Sequence, residues 1–294
     1  MTTLSVRTLL GHAQLPLGLR CLGSLARSSH EPVQFVIHDD GTLTEEDASI
    51  LREKLPLERI VSRREADDRI IPLLEKFPAC AEFRRRTPMG LKLFDSPLFS
   101  EGHCYFCDSD ILFIKPHRGL FNGVLNDAPA VFMQDSQQSV SLYPWNVWPF
   151  ENQRLVSRLN SGLMALDVRV YDLDYINYFL TRNASSRGFT KRWAVAEQTC
   201  WAALASRFKT LFWDPRQIAM ALHRLLDDHR ETVAIHFVSS IRGLIEGFTP
   251  YQPVEGREVE PVAIRLMKTK LAHPPRFLAH EICTRLGYLG ISLR

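Results

Sequence analysis

"YFCDSDILFIK", residues 105–115, sets two carboxylates, Asp108 and Asp110, in a run that is otherwise apolar enough for a buried strand. Ionised carboxylates are costly to bury, and pairs of them persist where a cation or a proton offsets their repulsion. Three readings are open: a metal site, the nucleophile and acid of a phosphatase, or a solvated strand end. Asp-x-Asp alone is weak evidence, because 16 aspartates among 294 residues predict roughly one such pair by chance, and a second copy stands at Asp172 and Asp174. That copy opens a helical stretch, where acids favour the positive end of the dipole. Asp108 and Asp110 differ because an apolar strand delivers them.

Outward from this strand, the chain alternates. "LSVRTLLG" (4–11) and "VQFVIHDDG" (33–41) have strand character and flank "LPLGLRCLGSLARSS", whose apolar residues recur at helical spacing. Thr44 and Asp47 form a capping pair before the next helix. Further short apolar runs at 129–135, 161–168 and 232–238 read as strands, and 172–182 and 194–208 as helices. Alternation of this kind predicts an α/β fold with a mixed, mostly parallel sheet flanked by helices. Ligands in such sheets lie beyond the carboxyl ends of the strands, which singles out Gly11, His12, Asp39 and Asp40, with unliganded loop residues as the alternative. The aromatic, irregular segment 136–155 reads as a lid or binding loop. One domain is expected over 1–250, followed by a short, partly helical extension over 251–294 ending near "RFLAHEICTRL".

Composition narrows the function classes. Net charge is +3, and no basic block exceeds Arg84-Arg85-Arg86, which does not describe a nucleic-acid-binding surface. No run reaches the ~18 apolar residues of a membrane span. Six scattered cysteines and no cleavable apolar leader point to thiols in a cytoplasmic protein, at large or at the inner face of a membrane. Cys104-x-x-Cys107 could be a zinc pair or simple strand packing; packing is the simpler reading, since no second pair stands at finger spacing.

A divalent cation serving a diphosphate needs only a few protein ligands. His236, in the apolar run "AIHFVSS", is the natural third ligand beside Asp108 and Asp110, or else a satisfied core histidine. An imidazole in the set favours Mn²⁺, with Mg²⁺ as the alternative.

Five blocks in order carry a family likeness: "LKLFD" (91–95), "YFCDSDILF" (105–113) with "GLF" (119–121), "LNSGLMALD" (159–167), "AEQTCWAA" (196–203) and "IHFVSSIRG" (235–243). Together they resemble the retaining family 8 glycosyltransferases and their relatives on the GT-A fold, a Rossmann-like architecture, over roughly residues 5–245. The resemblance implies a nucleotide-sugar donor, usually a uridine diphosphate (UDP) sugar, with Mn²⁺ held by Asp108, Asp110 and His236. It implies that Lys92 and Ser109 contact the donor and that the turn Asn160-Ser161-Gly162 meets the donor sugar. Glu197 and Gln198 match the Asp-Gln pair lining the sugar pocket, with Glu in place of Asp. Arg242 stands where the family carries a lysine on the diphosphate. Ser239 replaces a glycine and Gly243-Leu244 replaces Pro-Trp, so the chain is similar as a remote relative.

The implied chemistry is metal-dependent transfer with retention, the leaving diphosphate neutralised by the metal, Lys92 and Arg242, and Gln198 opposite the anomeric carbon. Trp145 and Trp148 could stack on an acceptor sugar or merely close a lid. The acceptor, carbohydrate, lipid-linked or protein, is not legible. Two alternatives stand beside this: a haloacid dehalogenase-type phosphatase with Asp108 as nucleophile, and a non-catalytic nucleotide-sugar-binding module.

Overall fold

A computed structural model describes residues 3–147, 153–221, 230–253, 259–273, 275–279 and 282. The chain opens with strand β1 (Leu4–Leu10), helix α1 (Leu15–Ser28) and strand β2 (Val33–Asp39), the expected β-α-β unit. Helix α2 (Glu45–Lys54) starts at the predicted cap, with Thr44 and Asp47 bonded reciprocally, and leads to β3 (Leu57–Val61). Three helices follow that hydrophobic periodicity had not marked: α3 (Arg63–Leu74), α4 (Pro78–Arg86) and α5 (Pro88–Leu98). Pro78 and Pro88 begin α4 and α5 at the position where a missing N–H costs nothing.

Strand β4 (His103–Cys107) then runs through the centre of the sheet, and β5 (Ile111–Phe113) and β6 (His117–Arg118) follow. After β7 (Ala130–Gln134) and β8 (Leu159–Asp167) come helices α6 (Leu173–Asn183), α7 (Arg187–Lys191) and α8 (Ala196–Ala205). The remaining strands are β9 (Thr210–Trp213), β10 (Ile218–Met220), β11 (Ala234–His236), β12 (Val262–Ala263) and β13 (Leu266–Lys268).

Eight strands form the main sheet in the order β13-β9-β7-β8-β4-β1-β2-β3. Its β1, β2, β3 and β4 are parallel, whereas β8 runs antiparallel to both β4 and β7. The architecture is thus the expected mixed α/β sheet flanked by helices. Side chains alternate between its two faces with period two. Along β7, Ala130 and Phe132 enter one core with α3 to α6 and α8, while Val131 and Met133 enter the other with α1 and α2. Cys104 and Cys107, three apart on β4, therefore fall in opposite cores, and this separation removes the zinc-pair reading.

A small sheet, β10-β11-β5, sits beside the main one. From the segment after 250, β13 pairs antiparallel with β9 as the edge of the main sheet, and β12 pairs with β6. Of the C-terminal helix expected near 276–286, residues 275–279 are helical and most of the rest lies outside the described residues. Among the described residues no helix is long and apolar enough to cross a membrane.

Candidate functional site

The quoted stretch is not one strand. Strand β4 ends in the main sheet at Cys107, and β5 begins in the small sheet at Ile111, so Asp108-Ser109-Asp110 is the crossing between two sheets. Both ends of the crossing are pinned: the Asp108 N–H donates to the Gly162 carbonyl of β8 at 2.7 Å, and the Asp110 carbonyl accepts from the Phe237 N–H at 2.9 Å. The register of β11 on β5 sets His236 opposite Ile111, one residue from Asp110. A crossing fixed by three strands can hold two carboxylates at a defined separation.

His236 Nε2 lies 3.0 Å from Asp110 and 3.7 Å from Asp108. One ligating atom from each of the three residues falls within 4.8 Å of the others. The ring can stand there because position 162 lacks a side chain: a Cβ on Gly162 would lie 2.3 Å from His236 Cε1. Lys92, delivered by α5 and buried, donates to both oxygens of Asp108 at 2.9 and 2.8 Å. Arg242, in the 3₁₀ stretch Ser239–Gly247, donates through Nε to Asp110 at 2.9 Å.

Burial alone would pull the Lys92 ammonium down, but the attraction of Asp108 and Glu197 outweighs it and its pKa is raised. Burial pushes the Asp108 carboxyl up against the pull of Lys92. It acts on Asp110 too, but there His236 and Arg242 prevail and hold the carboxyl below its usual value. The site is an acidic pair, Asp110 buried and Asp108 partly so, with Lys92 and Arg242 already against the two carboxylates. A carboxylate has about four lone-pair positions, so each aspartate keeps capacity beyond its present partners. Two carboxylates and an imidazole are a donor set that could hold a divalent metal ion.

A cleft of about 450 Å³ opens over these groups, and its lining includes Lys92, Asp108, Asp110, Asn160, Ser161, Gly162, Glu197, Gln198, His236 and Arg242. Asn160, Ser161 and Gly162 belong to strand β8, as expected from position 161 onward, and not to the turn that the resemblance implied. They protrude because the pairing of β7 with β8 jumps from Phe132 opposite Met164 to Met133 opposite Asn160. Such a bulge re-aims side chains beside a site. Ser161 donates to Glu197 Oε2 at 2.9 Å, and the Trp201 indole also acts on this carboxylate. Burial raises the pKa of Glu197. Gln198 donates through Nε2 to the Ser139 carbonyl at 2.8 Å, which fixes the amide with Oε1 on its other side.

Sequence reasoning missed Asp135, Ser136, Gln137 and Ser139, which also line the cleft. Asp135 stands at the carboxyl end of β7, a position the edge rule could have flagged. Gly11, His12, Asp39, Asp40 and Ser109 are not in the lining. The first four knit one loop: Asp39 Oδ1 accepts from the N–H groups of Gly41, Thr42 and Leu43, Asp40 accepts from Thr42, and His12 meets Asp47 at 2.7 Å. They do share the carboxyl edge of β1 and β2, parallel to β4. Trp145 is outside the lining, stacked on Tyr143 with ring centroids 4.6 Å apart. Trp148 lies outside the described residues. The start of the lid segment is tied down: Val140, Leu142 and Val147 are buried, and the Ser141 N–H donates to Thr199 of α8 at 2.8 Å.

No protein-family model and no curated protein matches the chain. Solved structures do. A galactosyltransferase, LgtC, in complex with donor and acceptor sugar analogs is similar at 13% identity over 81% of this chain and 88% of its own, with a TM-score of 0.47. Mouse xyloside xylosyltransferase 1 in its apo form is similar at 12% identity over 80% and 98%, with a TM-score of 0.46. Core-mannan synthase A from Aspergillus fumigatus, in an Mn/GDP form, is similar at 11% identity over 70% of each chain, with a TM-score of 0.46.

Proposed function

We propose that the chain is a metal-dependent glycosyltransferase that moves a sugar from a nucleotide diphosphate donor, a UDP sugar, to an acceptor with retention of anomeric configuration. One observation carries the reading: Asp108, Asp110 and His236 converge within 4.8 Å at the floor of a cleft, with Lys92 and Arg242 against the two carboxylates. The sequence resemblance supports it by naming the same residues. A bound Mn²⁺ on these three side chains would neutralise the diphosphate and ease its departure.

The chain's own groups then divide the work. Lys92 orients Asp108 and holds positive charge beneath the leaving group. Arg242, half exposed and bonded among the described residues to Asp110, can turn its free guanidinium edge to the diphosphate, as the resemblance implies. Glu197, held by Ser161 and lining the cleft, is placed to accept from a sugar hydroxyl. Gln198 offers Oε1 toward positive charge on the anomeric carbon, and an amide is a poor covalent nucleophile, which favours attack from the face of the departing phosphate. Gly11, His12, Asp39 and Asp40 are assigned to the nucleoside end of the donor, along the shared sheet edge.

Among the described residues no further carboxylate joins Asp108 and Asp110 at the cation position; the third group is an imidazole, which favours sugar transfer over the phosphatase reading. The test is donor hydrolysis. Incubation with a panel of UDP sugars and Mn²⁺ is expected to release one sugar slowly, its first-formed anomer matching the donor by proton NMR, with loss of release in Asp110→Asn. An inverted anomer would overturn retention, and phosphate release from simple phosphomonoesters would favour the phosphatase.

A further inference from the structure

A second cavity of about 450 Å³ lies on the far side of Ser136 and Gln137, two residues that line both it and the cleft. Arg158, Lys268, Lys270, His273 and Arg276 contribute to its lining, and no acidic residue does. None of these five side chains makes a hydrogen bond or an ion pair among the described residues. All five side chains are exposed, and single exposed cations without a partner occur elsewhere among the described residues, as at Arg52 and Arg118; what sets these apart is that they border one concavity. Four unpaired cations and an imidazole around one concavity repel one another, and an anion would relieve the repulsion.

Two further features mark the place. Arg158 has φ 53°, the one non-glycine residue with positive φ among the described residues, in a left-handed conformation that its neighbours enforce. Its N–H donates to Gln138 Oε1 at 2.8 Å and its carbonyl accepts from the Asp135 N–H at 2.7 Å. Gln138 Oε1 also accepts from Ser157 Oγ at 3.0 Å, which fixes the amide orientation and leaves Nε2 buried with no partner. An orphan donor beside strained and unpaired cations is what an absent acceptor-rich ligand leaves behind. Lysines on an edge strand such as β13 ordinarily discourage pairing with another chain, but that role does not call for Arg158 and Arg276 to converge on them from other segments.

We propose that this cavity receives a phosphate group borne by the acceptor substrate, and that the shared Ser136–Gln137 wall sets the acceptor's hydroxyl beside the donor sugar. The assignment rests on the sugar-transfer reading of the cleft. A concavity of about 450 Å³ bordered by four cations suits one phosphate ester, whereas a membrane surface would present a plane of headgroups.

Calorimetry on the full chain, with UDP and Mn²⁺ present, tests it using glucose 6-phosphate, glucose and inorganic phosphate as probes. Glucose 6-phosphate and phosphate are expected to bind and glucose not. Lys268→Glu/Arg276→Glu, and separately Arg158→Gly, are expected to weaken that binding about tenfold while leaving UDP affinity within about twofold. Unchanged glucose 6-phosphate affinity in both variants overturns the proposal, as does absence of binding by either phosphate probe. Co-sedimentation with phosphatidylglycerol vesicles that the variants abolish, without soluble phosphate binding, overturns it in favour of a membrane surface. If UDP itself does not bind, the cleft reading fails, and the acceptor role falls with it even where phosphate binds.

Discussion

An alanine at position 162 would set its Cβ 2.3 Å from Cε1 and 2.7 Å from Nδ1 of His236, and 2.9 Å from Oδ1 of Asn160. Ordinary contact is about 3.5 Å, so the imidazole must retreat by about 1.2 Å. Its 3.0 Å approach to Asp110 is lost over that distance, and with it the third ligand position. A displacement of that size in a catalytic constellation costs about 100-fold in rate, and overfilling a closed contact costs about 1–3 kcal/mol of stability. The assay pairs Mn²⁺-dependent UDP calorimetry with urea unfolding for Gly162→Ala, His236→Ala and the double variant. In the double variant the ring, and with it the two shortest contacts of the new methyl, is gone, so Gly162→Ala should add little to His236→Ala. The expected coupling is at least about 1 kcal/mol. Strict additivity, or wild-type UDP binding by Gly162→Ala, would refute the claim that this glycine exists to seat His236.

Lys92→Met removes the one side chain among the described residues that is bonded to both oxygens of Asp108 and leaves that partly buried carboxylate without its cation, so urea unfolding at pH 7 should report a loss of about 3 kcal/mol; a loss below about 1 would contradict it. His38 and His117 are both buried, and burial lowers them to about 3 and about 4. Below their unfolded value near 6.5 the unfolded chain takes up protons that the folded chain refuses, so stability falls with pH, by about 2 kcal/mol per histidine at pH 5. Unfolding at pH 7 and pH 5 should show that drop, and about half of it should vanish in His117→Leu. Arg158→Gly relieves a left-handed backbone at the cost of a more flexible unfolded chain, so Tm should hold or rise slightly, by up to about 1 kcal/mol in stability. A clear fall in Tm would mean that the side chain contributes contacts of its own.

What could be read in the sequence follows from the range of the forces involved. The β1-α1-β2 unit and the Thr44–Asp47 cap are local, set by periodicity and by a hydrogen bond spanning three residues. Asp108 and Asp110 stood out as carboxylates in an apolar run, with His236 open as a third ligand or a core histidine, and the structure brings the three together. The crossing of Asp108–Asp110 between two sheets was not legible, because β5 is three residues long and exists through its pairing with β11, more than a hundred residues away. The run from Ser161 was legible as a strand, whereas the turn at Asn160-Ser161-Gly162 came from the resemblance; the strand starts earlier, at Leu159, because β7 pairs with Leu159 and Asn160 across a register shift. Helices α3 to α5 escaped periodicity because prolines at 72, 78, 88 and 97 interrupt the apolar rhythm, and with them went the element that delivers Lys92. The basic cavity needed β13 on the sheet edge to bring Lys268 within reach of Arg158, a pairing no local signal encodes.

The central claim is that Asp108, Asp110 and His236 form a metal-dependent nucleotide site, and a calorimetric titration of the full chain with UDP, with and without Mn²⁺, tests it most directly. UDP binding that requires Mn²⁺ and disappears in Asp108→Asn/Asp110→Asn, with the variant still folded by circular dichroism, is the predicted result. Absence of UDP binding under both conditions, or binding indifferent to the metal and to both substitutions, would contradict it.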